Sequence, residues 1–212
     1  MDDLEAEIEA GVAALGQALP EGGAGRLARL LRELARWNAR MNLTAVRELD
    51  DMVVRHVLDS LAVRPYVNGP RVIDIGTGAG FPGLPLAIAE PALDITLLDR
   101  HARKIAFVRH AIGELGLQNA TAVQSAAEDY APPVRFDTVL CRALAALPEL
   151  TRLAGHLLAG DGVLLALKGQ YPGAELRSLA DLPEAWEYTV TELSVPGLAP
   201  RSRHVVALRR GS

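Results

Sequence analysis

The segment at residues 73–85, Ile-Asp-Ile-Gly-Thr-Gly-Ala-Gly-Phe-Pro-Gly-Leu-Pro, limits what this chain can fold into more than any other. Gly76, Gly78 and Gly80 follow a short strand pattern at residues 71–75 and precede a helical pattern that extends to about residue 90. Glycine permits positive φ and leaves no Cβ in the way. A strand, a glycine loop and a helix in that order predict close approach of a ligand or of another backbone, and a tight turn without a ligand is the other reading. Beyond the loop the pattern alternates. Strands are predicted at 94–98, 120–124, 136–141 and 162–167, and helices at 102–115 and 144–158. Such alternation means a mostly parallel sheet with helices on both faces, whose ligand crevice lies at the carboxyl ends of the strands. Two last strands, at 187–195 and 204–209, flank a turn holding Pro196, Gly197 and Pro200, which suits a hairpin.

The first 65 residues read differently. Leu27, Leu30, Leu31, Leu34, Trp37 and Met41 recur at steps of three and four, an apolar helical stripe. An acidic helix from Asp2 to about Leu19 precedes it. A further helix at 50–64 carries Met52, Val53, His56, Val57 and Leu61 inward and ends near Pro65. The division expected is a helical extension at 1–66 and a sheet domain at 67–212.

With 212 residues, half of them hydrophobic, the chain can bury a sizeable core. The net charge of −4 neither advertises nor excludes nucleic acid, because binding depends on where the charges sit. The single cysteine, Cys141, without metal-ligand spacing around it, suggests a reducing, cytoplasmic compartment. The acidic start, MDDLEAEIEA, reads as neither a signal nor a transit peptide. No apolar run reaches membrane-spanning length, so no membrane partner is expected. Five scattered histidines predict no metal site, and neither a P-loop nor a GxSxG elbow is present.

The loop's chemistry narrows the ligand. The GxGxG spacing, with Pro82 and Pro85 opening the helix, removes donors that a pyrophosphate would use. Asp74, two residues before the first glycine, would repel that anion yet accept from an amino group or water; capping the loop is its alternative role. Asp99 closes the next strand, where acids in nucleotide folds accept from ribose hydroxyls. A nucleoside that carries an amino acid and no phosphate fits best, which is S-adenosylmethionine. An NAD-dependent oxidoreductase fits Asp99 but not Asp74 or the prolines.

The sequence resembles the bacterial small-subunit ribosomal RNA methyltransferases of the glucose-inhibited division protein B family. Carrying the resemblance are Trp37-Asn38 with Asn42-Leu43-Thr44, Arg55-His56 with Asp59-Ser60, Asp74 through Pro85, and Leu97-Leu98-Asp99. It continues in Ser125 to Glu128, Arg142-Ala143, Leu167-Lys168-Gly169 and Arg203-His204. The one departure is Ala79, where the family commonly has proline. The resemblance implies a class I S-adenosylmethionine-dependent methyltransferase, a Rossmann-like α/β sheet with a helical N-terminal extension, that makes 7-methylguanosine in the 530 loop of 16S rRNA. It implies a cofactor pocket of Asp74, Gly76, Thr77, Gly78, Gly80, Phe81, Asp99, Ala127, Glu128 and Arg142. The partner implied is 16S rRNA within the small ribosomal subunit, and the chain is expected to be monomeric.

Guanine N7 has a lone pair and no proton, so its methylation needs alignment and electrostatics but no base. That agrees with the absence of an Asn/Asp-Pro-Pro-Tyr clamp after the fourth strand, where Cys141-Arg142-Ala143 stands instead. Arg142 is predicted to address guanine O6 or a phosphate, or else to pair with a structural acid such as Asp137. Lys168, at the end of the fifth strand, suits a phosphate or a solvated strand end. His56 suits a site-shaping role or a satisfied interior histidine. Asp59, one turn on, can orient Arg55 or His56. Asn38 and Asn42 are expected to tie the helical extension to the glycine-loop domain. Cys141, within a buried strand, reads as a small hydrophobe and not a nucleophile. Three basic groups can meet phosphates or simply be solvated: Arg26, Arg29, Arg32 (or Arg36) and Arg40; Arg100, His101, Arg103, Lys104, Arg109 and His110; and Arg201, Arg203, His204, Arg209 and Arg210. A methyltransferase for another RNA, a protein or a small molecule, and a non-catalytic RNA-binding assembly protein, are the competing functions.

Overall fold

The computed structural model describes residues 2–200 and 202–211, so Arg201 of the third basic group lies outside the described residues. One sheet organises the chain. Its strands are β1 (Arg71–Ile75), β2 (Asp94–Asp99), β3 (Ala120–Gln124), β4 (Phe136–Arg142), β5 (Leu158–Lys168), β6 (Trp186–Glu192) and β7 (His204–Arg210). Their order is β3-β2-β1-β4-β5-β7-β6. The first five are parallel, while β7 runs antiparallel to both β5 and β6. The order reverses between β1 and β4, which opens a crevice at their carboxyl ends.

Side-chain alternation assigns each strand's two faces. Val72, Ile95, Leu97, Leu140 and Leu165 point into one core; Ile73, Ile75, Leu98, Val139 and Leu164 point into the other. The first core is covered by α1 (Asp3–Ala14), α2 (Gly23–Met41), α5 (Gly83–Ala89) and α6 (Ala102–Leu115). The second is covered by α7 (Leu147–Ala154) and α8 (Gly173–Leu179). Leu27, Leu30, Leu31 and Leu34 of α2 are buried in the same cluster as Leu84 of α5 and Phe107 of α6. The N-terminal helices thus complete a layer of the sheet and have no core apart from it.

Several boundaries differ from the pattern's expectation. The first helix stops at Ala14, where the chain turns before Gly16 at φ 70°. The single helix expected at 50–64 is α3 (Leu49–Met52), a π-helical stretch Val53–Leu58, and α4 (Asp59–Leu61). A π turn widens the spiral, and here it lets His56, Val57, Leu58, Asp59 and Ser60 all be buried in succession. Leu158 belongs to β5, not to the helix before it, and α8 had no clear periodicity to announce it.

Asn38 does not reach the glycine loop itself. Its amide donates to the Thr44 and Val46 carbonyls at 3.0 and 3.3 Å and accepts from the Thr44 amide at 3.0 Å. It therefore fastens residues 44–46 onto α2. Asn42 ends α2 in the left-handed region, φ 49°, and accepts from Arg47. Contact with the loop comes at second hand: Thr44 Oγ1 lies 3.0 Å from His56 Nε2, and the His56 ring stacks on Phe81 with centroids 4.7 Å apart. Asn38→Ala should lower the unfolding free energy by about 1–3 kcal/mol, since it leaves half-buried backbone groups of Thr44 and Val46 without their partner; urea titration followed by circular dichroism checks this.

Candidate active site

The glycine loop folds over a buried acid. Asp74 has no exposure to solvent. Its Oδ2 accepts from Thr77 Oγ1 at 2.6 Å and from the Gly83 amide at 2.9 Å, while Oδ1 has no protein partner. Burial pushes its pKa up to about 6, against the pull of those two donors. Asp74 thus ties both ends of the loop together from beneath and is not among the residues that line the crevice. Gly80 is also behind the surface: at φ 87° it packs against Leu84, and a Cβ there would strike that side chain. Gly78 differs. It holds φ 63°, and a Cβ on it would meet nothing closer than the Gly76 carbonyl at 4.0 Å. Its missing side chain leaves open space in the crevice.

That crevice has a volume of about 530 Å³, within the range of ligand pockets. Gly76, Thr77, Gly78, Phe81, Asp99, Ala127, Glu128, Arg142 and His56 all line it. Ala127 and Glu128 arrive on the turn after β3, with Ala127 buried and Glu128 exposed. Asp99, 4% exposed, binds the loop through the Gly78 amide at 3.0 Å. It also accepts from the His101 amide at 2.9 Å and faces the His101 ring at 2.8 Å and Lys104 at 3.5 Å. Burial alone would raise its pKa; the hydrogen bonds from His101, the Lys104 charge and the Gly78 amide outweigh that and hold it below the ordinary value. A carboxylate kept ionised at the end of β2 can accept from a diol once the exposed His101 ring and Lys104 give way.

The opposite wall is built around Arg142. Its Nη1 donates to Asp59 Oδ2 at 3.2 Å and to the Arg55 carbonyl at 3.3 Å. The acid that pairs with it is therefore Asp59 and not Asp137, which is held by Arg71 at 2.6 Å. Asp59, 1% exposed, takes a second arginine on its other oxygen: Arg203 Nε donates to Oδ1 at 2.6 Å. Neither Arg55 nor His56 is its partner. Ala143 follows Arg142 at φ 53° and turns the chain sharply beside the crevice. His56 is buried, and desolvation lowers its pKa to about 4, helped by the charge of Arg142. It is a neutral wall residue at pH 7. Cys141 is buried under the crevice, with its thiol pushed up to about 12 by desolvation, which removes it as a nucleophile. Lys168 does not reach the crevice: its ammonium donates to Glu175 at 2.7 Å and the Ala145 carbonyl at 2.9 Å, and it borders a neighbouring depression.

The model of the family described as rRNA small subunit methyltransferase G matches residues 24–206. The chain belongs to the rRNA small subunit methyltransferase G family. It is 46% identical over 206 residues to the ribosomal RNA small subunit methyltransferase G of Stenotrophomonas maltophilia (strain K279a), covering 97% of this chain and 94% of the relative. The protein of the same name from Idiomarina loihiensis is 47% identical over 180 residues, 84% of this chain and 85% of the relative. Solved structures share the fold at much lower identity. The glycopeptide N-methyltransferase MtfA superposes with a TM-score of 0.60 at 15% identity, over 76% of this chain and 99% of that one. The ribosomal protein L11 methylase of Lactobacillus delbrueckii subsp. bulgaricus gives 0.56 at 17%, over 73% and 77%. The chain is thus an S-adenosylmethionine-dependent methyltransferase of class I, Rossmann-like fold.

Within this family member the three basic groups are not alike. On α2, Arg29 pairs with Glu114 of α6, Arg32 with Asp2 ahead of α1, and Arg36 with Glu33 of α2 itself, so these three already have protein carboxylate partners. In the second group His101 and Lys104 serve Asp99, and His110 meets Glu33. Arg100, Arg103 and Arg109 are exposed. In the third, Arg203 is committed to Asp59, while Arg209 and Arg210 donate to the Asp161 and Gly155 carbonyls. Among the described residues no helix is long and apolar enough to cross a membrane.

The Asp74 shift carries a sign that can be measured. Its folded pKa, about 6, exceeds the ordinary 3.8. Between those values the native state holds the proton and the unfolded state does not, so Asp74 makes stability fall as pH rises from about 4 to 6. His56, shifted down to about 4, acts in the opposite sense over a similar window. Removing one unmasks the other. Asp74→Asn should make stability rise more steeply with pH between about 4 and 6 than in the parent, as read from urea midpoints at successive pH values.

Proposed function

We propose that the chain transfers the methyl group of S-adenosylmethionine to N7 of a guanine in the 530 loop of 16S rRNA, acting on RNA within the small ribosomal subunit. S-adenosylmethionine, when bound, supplies an electrophilic methyl group on a sulfonium. The residues that would hold it are those lining the loop side of the crevice: Gly76, Thr77, Gly78 and Phe81, with Asp99 toward the ribose and Ala127-Glu128 beside the adenine. The open space above Gly78 and the ionised acid at the end of β2 fit such a group. Asp74 and Gly80 contribute by shaping the loop from behind.

One observation carries the choice of acceptor. Arg142 is fixed at the rim by Asp59, while the buried acids around it are already engaged: Asp59 by two arginines, Asp74 by Thr77 and Gly83, Asp99 by the loop and its cations. Glu128 and Glu149 also line the crevice, and both are exposed to solvent. This suits a nitrogen that must be aimed and not deprotonated. Arg142 keeps N–H groups with no protein partner among the described residues, available for guanine O6 or a phosphate. The stacked pair His56–Phe81 gives this side of the crevice an apolar, neutral wall.

Incubation with labelled cofactor and, separately, small subunits, naked 16S rRNA, large-subunit rRNA, tRNA and total protein should label small-subunit RNA alone, as 7-methylguanosine after digestion. The single-turnover rate should vary by no more than roughly twofold from about pH 6 to 8.5, because no base titrates. An N6-methyladenosine or 5-methylcytosine product overturns the acceptor; label in protein alone overturns the substrate class.

Two variants separate cofactor from substrate. Gly78→Val places its side chain in the open crevice and should abolish cofactor binding in calorimetry. Arg142→Ala should leave the cofactor dissociation constant within about twofold and cut the single-turnover rate on RNA by roughly 100-fold, the scale of one lost transition-state donor.

A further inference from the structure

A second depression, of about 760 Å³, adjoins the crevice at the same end of the sheet. Lys168, Tyr171, Ser202 and Arg203 are among its walls. Tyr171 is 63% exposed, the most exposed of the large hydrophobic residues among those described. Its position is nevertheless defined. The ring meets His204 edge-on, with centroids 5.9 Å apart at 75°. Gly173 lies under it so closely that a Cβ there would come within 3.3 Å of the ring. One part of the ring is seated on the protein and the rest is offered to solvent. Lys168 is paired with Glu175 and Arg203 with Asp59, and the exposed Arg177, 3.8 Å from a Cβ built on Gly173, has no carboxylate within 4 Å among the described residues, which leaves the balance around the ring positive.

This depression and the crevice are joined by one carboxylate. Asp59 holds Arg142 of the crevice on Oδ2 and Arg203 of the depression on Oδ1. Two guanidiniums sharing an acid are neighbours, and in each the Nη2 group has no protein partner among the described residues. A held aromatic face beside guanidinium and ammonium donors is the equipment of single-strand recognition, in which a base stacks and its phosphate is bound.

We propose that this depression is a second nucleotide subsite, which takes the nucleotide adjoining the target guanine: its base stacks on Tyr171 and its phosphate meets Arg203, with Asp59 as the positioning residue that aligns the two sites. The inference rests on the RNA-methylating reading above.

The test uses the full chain, labelled S-adenosylmethionine and small subunits assembled with in vitro transcribed 16S rRNA. Tyr171→Ala should raise the KM for subunits about tenfold at parental kcat, the scale of one lost base stack. Tyr171→Phe, which keeps the ring, should recover most of that loss. A photoreactive phenylalanine analogue at position 171 should crosslink to a nucleotide next to the methylated guanine. A KM for Tyr171→Ala within twofold of the parent, a loss that Tyr171→Phe does not recover, a parallel loss of cofactor affinity, or a crosslink distant from the target each overturns the subsite. If the parent itself places no label in RNA, the functional reading fails and the subsite with it.

Discussion

The whole working end of the molecule depends on a carboxylate that water does not reach. Asp74 sits near the end of β1, beneath the glycine loop, and joins Thr77 to the first turn of α5. Burying a charge with one oxygen unpaired is costly, and the upward shift of its pKa is the sign of that cost. The return is a loop whose backbone is held in one path. From that path the Gly78 amide reaches Asp99 on the adjacent strand, and the open floor of the crevice is set. Loop shape and acid placement are thus parts of a single hydrogen-bonded unit.

The other wall rests on a second buried acid supplied from outside the sheet. Asp59 comes from the helical segment before β1, yet its partners are Arg142 at the end of β4 and Arg203 just before β7. Removing Asp59 would leave two arginines without their buried counter-ion, a loss of roughly 3–5 kcal/mol, whereas removing one arginine leaves the acid paired with the other. The N-terminal helices are therefore bound to the sheet twice, by the apolar layer that α2 shares with α5 and α6 and by this ionic knot at the rim. The knot makes the geometry of the substrate side depend on residues that never enter the crevice.

The same layering explains why residues named by one motif divide in function. His56 and Asp59 lie within one short helical stretch, but the π turn carries both inward to different neighbours. His56 becomes a neutral wall beside Phe81; Asp59 becomes the anchor of two arginines. Asn38 and Thr44 extend that wall by fixing the connection that follows α2.

What the sequence determined by itself is the periodic and local part. Alternating strand and helix patterns marked the parallel sheet. The glycine loop marked the crevice at its carboxyl end, and Asp99 marked the end of β2, because each depends on neighbours a few residues away. The family's motifs then specified the reaction class. Tertiary structure alone decided which acid meets which base. Arg142 had several carboxylates open to it in the sequence; packing gave it Asp59, 83 positions away, and joined Arg203 to the same acid across 144 positions. It also turned Asp74 inward to the loop and drew Lys168 away from the crevice to Glu175. Ion pairs of this kind leave no periodic trace, because they form only where burial strips water from charges that the fold has already brought together.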